Sequence, residues 1–416
     1  MTVGITVLPD TDQPHGAADA LRSSTAVRER SHQLLQRARG DGSRWFTVHD
    51  DRLPVAAAEV ADVTRTHYPD LLIPYHSRWR HFEAGGVDRK AQLDSRLAGL
   101  AAPDRARAMI DLTVVSVLLD AGAGADWQFD EAPSGQRFTR SEGLGVASWH
   151  AFGAGLFSGD GERPLQVDAA GLRDLDIDRL AEAFQVTPDN PLVGLDGRVR
   201  LLHRLGEALA AQPEFFGDQA RPGGLFDLLT ADRSTLAAAD ILSALLRSLS
   251  RIWLSDNMID AEAVGDCWRH TAVSGPGLTQ GWIPFHKLSQ WLTYSLLEPF
   301  EWAGVQVRGL DALTGLPEYR NGGLLLDTGV VALRDPDLTS RSWSVADELV
   351  VEWRALTVAL LDELAPLVRQ RLGLDETRMP LACVLEGGTW AAGRALAQRL
   401  RDGVPPLTII SDGTVF

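Results

Sequence analysis

The sequence predicts a mainly α fold with a minority of β, and three observations carry that prediction. Apolar residues recur at helical spacing over long stretches. Glycine and proline clusters interrupt those stretches at intervals typical of helix ends and loops. Short runs of mixed apolar and glycine-rich sequence between them suit hairpins or isolated strands rather than a large sheet. The 416 residues, 45% of them hydrophobic, supply ample apolar surface for a sizeable core. Residues 1–20, rich in Pro, Asp, Gly and Ala, read as a flexible tail. Residues 21–416 read as one catalytic domain or as two closely packed lobes, 21–225 and 226–416.

The elements follow in order. Helices are expected over 25–39, 55–67, 104–121, 198–211, 234–254, 286–302, 345–372 and 389–401. Loops are expected at 130–140, 158–164, 186–197 and 274–281. The glycine-rich stretch 315–330 has hairpin character, and LACVLE and LTIIS read as short strands. Ser344 with Asp347 resembles a capping box at the start of the 345–372 helix.

Charge and composition exclude several functions. Fifty-six acidic residues against 40 basic ones leave a formal charge of −16, which repels a phosphate backbone, so no nucleic-acid partner is expected. Two isolated cysteines, Cys267 and Cys383, build neither a disulfide framework nor a multi-cysteine zinc site. No apolar run reaches the ~20 residues that span a bilayer, and no signal-peptide pattern opens the chain. A soluble, cytoplasmic protein without membrane contact is the expectation. There are 12 Trp against 4 Tyr; most of the tryptophans suit core anchors, while Trp390 and a few others beside polar or glycine-rich turns could stack on a ligand.

Candidate chemistry gathers where charge enters apolar company. In 345–372, Arg354 has Val350, Val351 and Val358 as its helical neighbours, and Glu352 has Leu349 and Leu356. Buried charges must be paired, so these two are either a structural ion pair or site residues. In 286–302, Lys287, Gln290 and Tyr294 share one face, which suits a small polar ligand with an anionic group or a solvated surface. Asp111 and Asp120 in the 104–121 helix suit structural roles. LTGLPEYRNGG presents Glu318, Tyr319, Arg320 and Asn321 on a turn. LEGGTWAAGR could offer backbone amides to an anion at a helix start. IPYHSRWRHFEAGG gathers His76, Arg78, Arg80, His81 and Glu83 and could grip a phosphate or carboxylate. None of these has HExxH-type spacing, so no metal and no cofactor is expected. Acid–base chemistry by carboxylates, with Arg and Lys holding an anion, is the most economical reading.

Taken together, HSRWRHFEAGG, DLTVVSVLLDAGAGADW, FQVTPDNPLVGLDGR, RPGGLFD, PFHKLSQWLTYSLLEP, LTGLPEYRNGG, ELVVEWRALTVALLDELAPLVR, LEGGTWAAGR and SDGTVF resemble the uracil-catabolism protein four family of fungi and bacteria. The resemblance runs from about residue 24 to the last residue. It implies a step in a pathway that takes uracil, through a ribosylated form, to urea and a three-carbon acid. The substrate it points to is ribosylurea or its 5′-phosphate, whose N-glycosidic bond must be cut to release urea. A second likeness is to the queuosine-salvage family, which hydrolyses the N-glycosidic bond of queuosine 5′-phosphate on a helical, DNA-glycosylase-like architecture. FHKLSQW, LPEYRNGG and ELVVEWRA occur in the order of three of its motifs. That likeness implies a phosphate-holding role for Lys287, a catalytic carboxylate at Glu318, and site roles for Tyr319, Arg320, Glu352 and Arg354. Glu318 stands where that family has Asp, and Asn-Gly-Gly follows the arginine where that family has Val-Pro-Gln. The resulting expectation has Glu318 and Glu352 as catalytic residues. Lys287, Tyr319, Arg320, Arg354, Arg78, His81 and Trp390 would bind a ribosylated, phosphorylated small molecule. A metal-assisted hydrolase or deaminase of the opened pyrimidine ring, or a non-catalytic binding protein of the same pathway, remains open.

Overall fold

A computed structural model describes residues 9–231 and 233–410. The fold is mainly α with minor β: helices carry the core, and the strands, two to four residues long, pair two by two. The expected helices form at Ser24–Arg39, Leu53–His67, Ala102–Leu118, Leu195–Ala211, Ala238–Leu249, Lys287–Trp302, Glu348–Leu372 and Trp390–Arg401. The longest of these, Glu348–Leu372, is apolar on all faces in its first half and is buried accordingly. It packs against Ser24–Arg39 and Leu53–His67, while Lys287–Trp302 packs against Ala102–Leu118. One apolar cluster runs from Leu35 to Leu407.

The capping box forms only in part. Asp347 is itself the N-cap of the long helix, and its carboxylate accepts from the Ser344 N–H at 2.7 Å. Gly373 ends the helix in the left-handed region at φ 68°, and its N–H closes the last turn.

Five expectations are corrected. Residues 14–21 are not a loose tail: Pro14 opens a helix, and Ala17 and Ala18 are fully buried in it. Residues 1–8 lie outside the described residues, as does the SDGTVF motif. The 130–140 loop is a hairpin, with Gln128–Glu131 antiparallel to Gln136–Thr139. The glycine-rich stretch 315–330 is not a hairpin but carries the helix Tyr319–Asp327. Gly322 is required there by close approach rather than by a turn. The Trp353 ring lies against it, a Cβ would meet that ring at 2.6 Å, and the Trp353 indole N–H donates to the Gly322 carbonyl at 3.2 Å. LACVLE is likewise helical, running from Leu381–Val384 into a π-turn at Leu385–Thr389 that continues into Trp390–Arg401. Its glycines sit inside a continuous helix, so they expose no run of free amides to an anion. The LTIIS strand does form, as Thr408–Ile410 parallel to Ser342–Ser344.

Helix Trp390–Arg401 crosses Tyr319–Asp327 at Gly393, where a Cβ would lie 2.1 Å from the Arg320 carbonyl oxygen. Gly393→Ala should therefore destabilise the protein by about 1–3 kcal/mol through overpacking. A lowered urea-denaturation midpoint at unchanged slope would register it; an unchanged midpoint would contradict this crossing.

Candidate functional site

The site is built from a buried carboxylate outward. Asp266 accepts both arms of Arg354, at 2.9 and 2.8 Å, and the Trp268 indole N–H at 2.6 Å. It also accepts the backbone N–H of Lys287 at 2.9 Å, the first residue of the helix Lys287–Trp302. Burial would raise the Asp266 carboxyl, but Arg354 and these donors hold it below the usual carboxylate range. The Arg354 guanidinium lies over the Phe285 ring at 4.1 Å. Arg354 thus acts as the counter-ion that fixes where the Lys287 helix begins. Burial, then the charge of Arg354, push the Lys287 ammonium pKa down, while Glu318, Asp266 and Asp120 oppose the shift.

The face shared by Lys287, Gln290 and Tyr294 has a positioning role. Gln290 Oε1 accepts from the Thr314 N–H at 3.3 Å, and the Tyr294 hydroxyl donates to the Thr314 carbonyl at 3.0 Å. Asn321 Nδ2 donates to the Leu316 carbonyl at 3.0 Å. The turn so pinned delivers Glu318 to the N-cap of Tyr319–Asp327, where its carboxylate accepts from the Arg320 N–H at 2.7 Å and from the Asn321 N–H. Burial raises the Glu318 carboxyl above its ordinary value, against the two amides, Lys287 and His76.

The segment around residues 76–82 forms the facing wall. His76 Nδ1 donates to Glu386 at 2.8 Å, and the Tyr68 hydroxyl donates to the other oxygen of that carboxylate at 3.0 Å. Arg78 is fully buried and ties elements together. Its Nε donates to Ser116 Oγ at 2.7 Å, and its Nη1 reaches Asp120 at 2.9 Å and His81 Nδ1 at 2.8 Å. Burial, then Arg78, push the His81 imidazole down to about 4. Burial would raise Asp120, but Arg78, His81 and the Ser141 hydroxyl leave it below its ordinary value. The Trp291 ring lies between the two histidines, 6.2 Å from His76 and 5.7 Å from His81. Trp390 is half-buried, with Arg394 over its ring at 5.4 Å and bonded onward to Glu142 at 3.1 Å.

Lys287, Glu318, Tyr319, His81, Asp120 and Glu386 share a double character. Each keeps partial solvent exposure, yet loss of hydration is the leading influence on its pKa. Charge couplings link Lys287 to Glu318 and Asp120, His81 to Asp120 and His76, and Glu318 to His76, so these partly exposed groups form one neighbourhood, the candidate cleft.

Of the expected site residues, the fold thus gathers Lys287, Glu318, Tyr319 and His81, with Arg78 behind them. Arg320 lies over the Tyr319 ring at 4.8 Å and Arg354 acts on Lys287 through its charge, while Glu352 stands apart. Glu352 is fully buried in a separate network, bonded by the Ser43 hydroxyl, by His270 Nε2 at 3.1 Å and by Arg37 at 3.5 Å. Arg320 donates to the Gly403 carbonyl at 3.2 Å, bracing the C-terminal turn. Asp266 and Glu386 were not singled out in the sequence, since their partners lie 88 and 310 residues away. Asp120, read there as structural, lies on the cleft wall. A cavity of about 880 Å³ elsewhere, beside Leu97, Gln166 and Phe216, holds none of the expected residues.

Among the described residues, no group of three or more His, Cys, Asp or Glu is placed to hold a metal ion, and no helix is long and apolar enough to cross a membrane. Cys267 and Cys383 are buried and free, and burial pushes the Cys383 thiol up to about 12.

A family model described as "Protein of unknown function (DUF1688)" matches residues 20–416. The chain belongs to the DUF1688 family. It is 38% identical over 405 residues to protein urg3 of Schizosaccharomyces pombe, spanning 95% of this chain and 98% of that protein. It is 37% identical over 434 aligned positions to uracil catabolism protein 4 of Lachancea kluyveri, again spanning 95% and 98%. The family resemblance read from the motifs is borne out. Both walls of the cleft fall inside the span matched to DUF1688.

In this DUF1688 chain the depressed His81 pKa links the cleft to stability. Above the ordinary value of 6.5 the imidazole is neutral whether the chain is folded or not. Between 6.5 and about 4 only the unfolded chain takes up the proton, so stability falls as pH falls through that window. His81→Gln, which keeps an acceptor for Arg78, should flatten the loss. Denaturation midpoints at pH 7 and pH 5 check it, and equal slopes in wild type and variant would refute it.

Proposed function

We propose that this chain acts in uracil catabolism as an N-glycosidase that hydrolyses ribosylurea, as its 5′-phosphate, and releases urea. The observation that carries the reading is Glu318: a crowded, partly exposed carboxylate held by two backbone amides and coupled to the charges of Lys287 and His76. The name of the Lachancea kluyveri relative supports the pathway.

Cleavage of an N-glycosidic bond develops oxocarbenium character on the sugar. A carboxylate locked by two N–H donors keeps lone pairs for that cation and for an attacking water, and it needs no reorganisation to use them. Lys287 supplies a desolvated positive charge for a 5′-phosphate. Tyr319 and Trp390 offer half-buried rings to the sugar and the leaving group. Glu352, tied up by Ser43, His270 and Arg37, takes no part in the chemistry.

Glu318→Gln should lower kcat for urea release from N-ribosylurea 5′-phosphate by about 10²–10³-fold while the protein stays folded. Near-normal release by the folded variant would remove Glu318 from the mechanism. Glu352→Gln should instead lower stability by about 1–3 kcal/mol and leave kcat near wild type; a kcat loss as deep as that of Glu318→Gln would return Glu352 to the active site.

A further inference from the structure

Hydrolysis of a ribosylurea requires a proton donor as well as a carboxylate, because a urea nitrogen leaves poorly as an anion. Glu352 is outside the cleft. Asp120 is occupied on both oxygens, by Arg78 on one and by the Ser141 hydroxyl on both, at 2.6 and 2.8 Å. His81 leaves its Nε2 unbonded among the described residues, but its Nδ1 accepts from Arg78, and burial together with that positive charge disfavours the imidazolium an acid needs. His76 is different. Its Nδ1 is bonded to Glu386, while its Nε2 makes no hydrogen bond among the described residues and is not one of the enclosed polar atoms. Its ring lies 6.2 Å from that of Trp291, which also meets His81 at 5.7 Å, and its charge acts on the Glu318 carboxyl, so His76 belongs to the same neighbourhood.

We infer that His76, oriented by Glu386, is the acid that protonates the departing urea nitrogen, an assignment that rests on the glycosidase reading above. The support around His76 is built in depth. Its backbone N–H donates to the Ala382 carbonyl at 3.0 Å, tying it to the same helical segment that carries Glu386. Glu386 is held in turn by the Tyr68 hydroxyl. Burial alone would raise the Glu386 carboxyl, yet His76 and Tyr68 keep it below its ordinary value, so it stays an anion beside the ring. A carboxylate on Nδ1 fixes the tautomer and supports the imidazolium, which leaves Nε2–H as the proton to give. In the step, the C1′–N bond breaks with its electron pair moving to nitrogen, and nitrogen takes the proton from His76 Nε2. Water then adds its oxygen to C1′ and yields a proton to Glu318. That proton returns to His76 through solvent, so the net change is addition of one water.

The test compares two leaving groups. His76→Ala should lower kcat for urea release from N-ribosylurea 5′-phosphate by about 10²–10⁴-fold, yet stay within about threefold of wild type on 4-nitrophenyl ribofuranoside 5-phosphate, whose leaving group departs without a proton. The retained nitrophenol release also shows that the variant folds. Glu386→Gln, a change at a positioning residue, should show the same split with KM unchanged. Added imidazole should restore urea release by His76→Gly. Equal losses on both substrates, undiminished urea release, or absence of imidazole rescue would each overturn the assignment while leaving the glycosidase reading intact. A wild-type chain that cleaves neither substrate would remove both.

Discussion

The ion pair between Asp266 and Arg354 is the constraint on which the cleft depends. Two charges taken out of water cost several kcal/mol each unless geometry and further hydrogen bonds make up the loss. Here one carboxylate receives both arms of a guanidinium, an indole N–H and a helix-initiating amide. The pair joins the buried helix Glu348–Leu372 to the first residue of Lys287–Trp302, and so fixes where the Lys287 side chain departs. From that helix, Gln290 and Tyr294 grip Thr314 from both sides of its peptide, and the gripped turn sets Glu318. Lys287 and Glu318 are therefore positioned by one continuous set of contacts.

The charged residues in apolar segments divide by wetting. Arg78, Arg354 and Glu352 are fully buried and bonded to protein on fixed geometry, and they join elements. Lys287, Glu318, His81 and Asp120 keep some solvent, and they face the cleft. Glu352 in the first group and Lys287 and Asp120 in the second sit directly beside valine or leucine in the chain, so apolar company alone does not separate the two groups.

That division explains how far the sequence could be read. The helices were legible because each carries an apolar stripe at helical spacing, and Glu348–Leu372 was legible as buried because it is apolar all round. The helix Tyr319–Asp327 was not, since Gly322 and Gly323 suggest a turn, and only the Trp353 ring packed on Gly322 shows why glycine is needed there. Glu352 read as a possible acid because periodicity says that a charge is buried, not what pairs it; its partners Ser43 and His270 lie 309 and 82 residues away. Asp266 gave no local signal at all. Motif likeness gave Lys287 and Glu318 their roles, but it gave Arg320, Arg354 and Glu352 site roles as well, and spacing and propensity did not separate them either.

The π-turn at Leu385–Thr389 has a geometric corollary. Such a turn is an α-helix holding one residue more than its regular winding, and each residue advances the winding by about 100°. The surplus residue sets the rotational phase between Leu381–Val384, which anchors His76 through Ala382, and Trp390–Arg401, which packs on the helix that Glu318 caps. Glu386 sits inside the surplus turn, where its carboxylate meets both Tyr68 and His76. A chain shortened by one residue here would rewind as plain α-helix and turn one anchored end about 100° against the other. Length, and not only identity, is thus encoded at this point: a deletion in LEGGT would be felt as a rotation of the cleft's two walls.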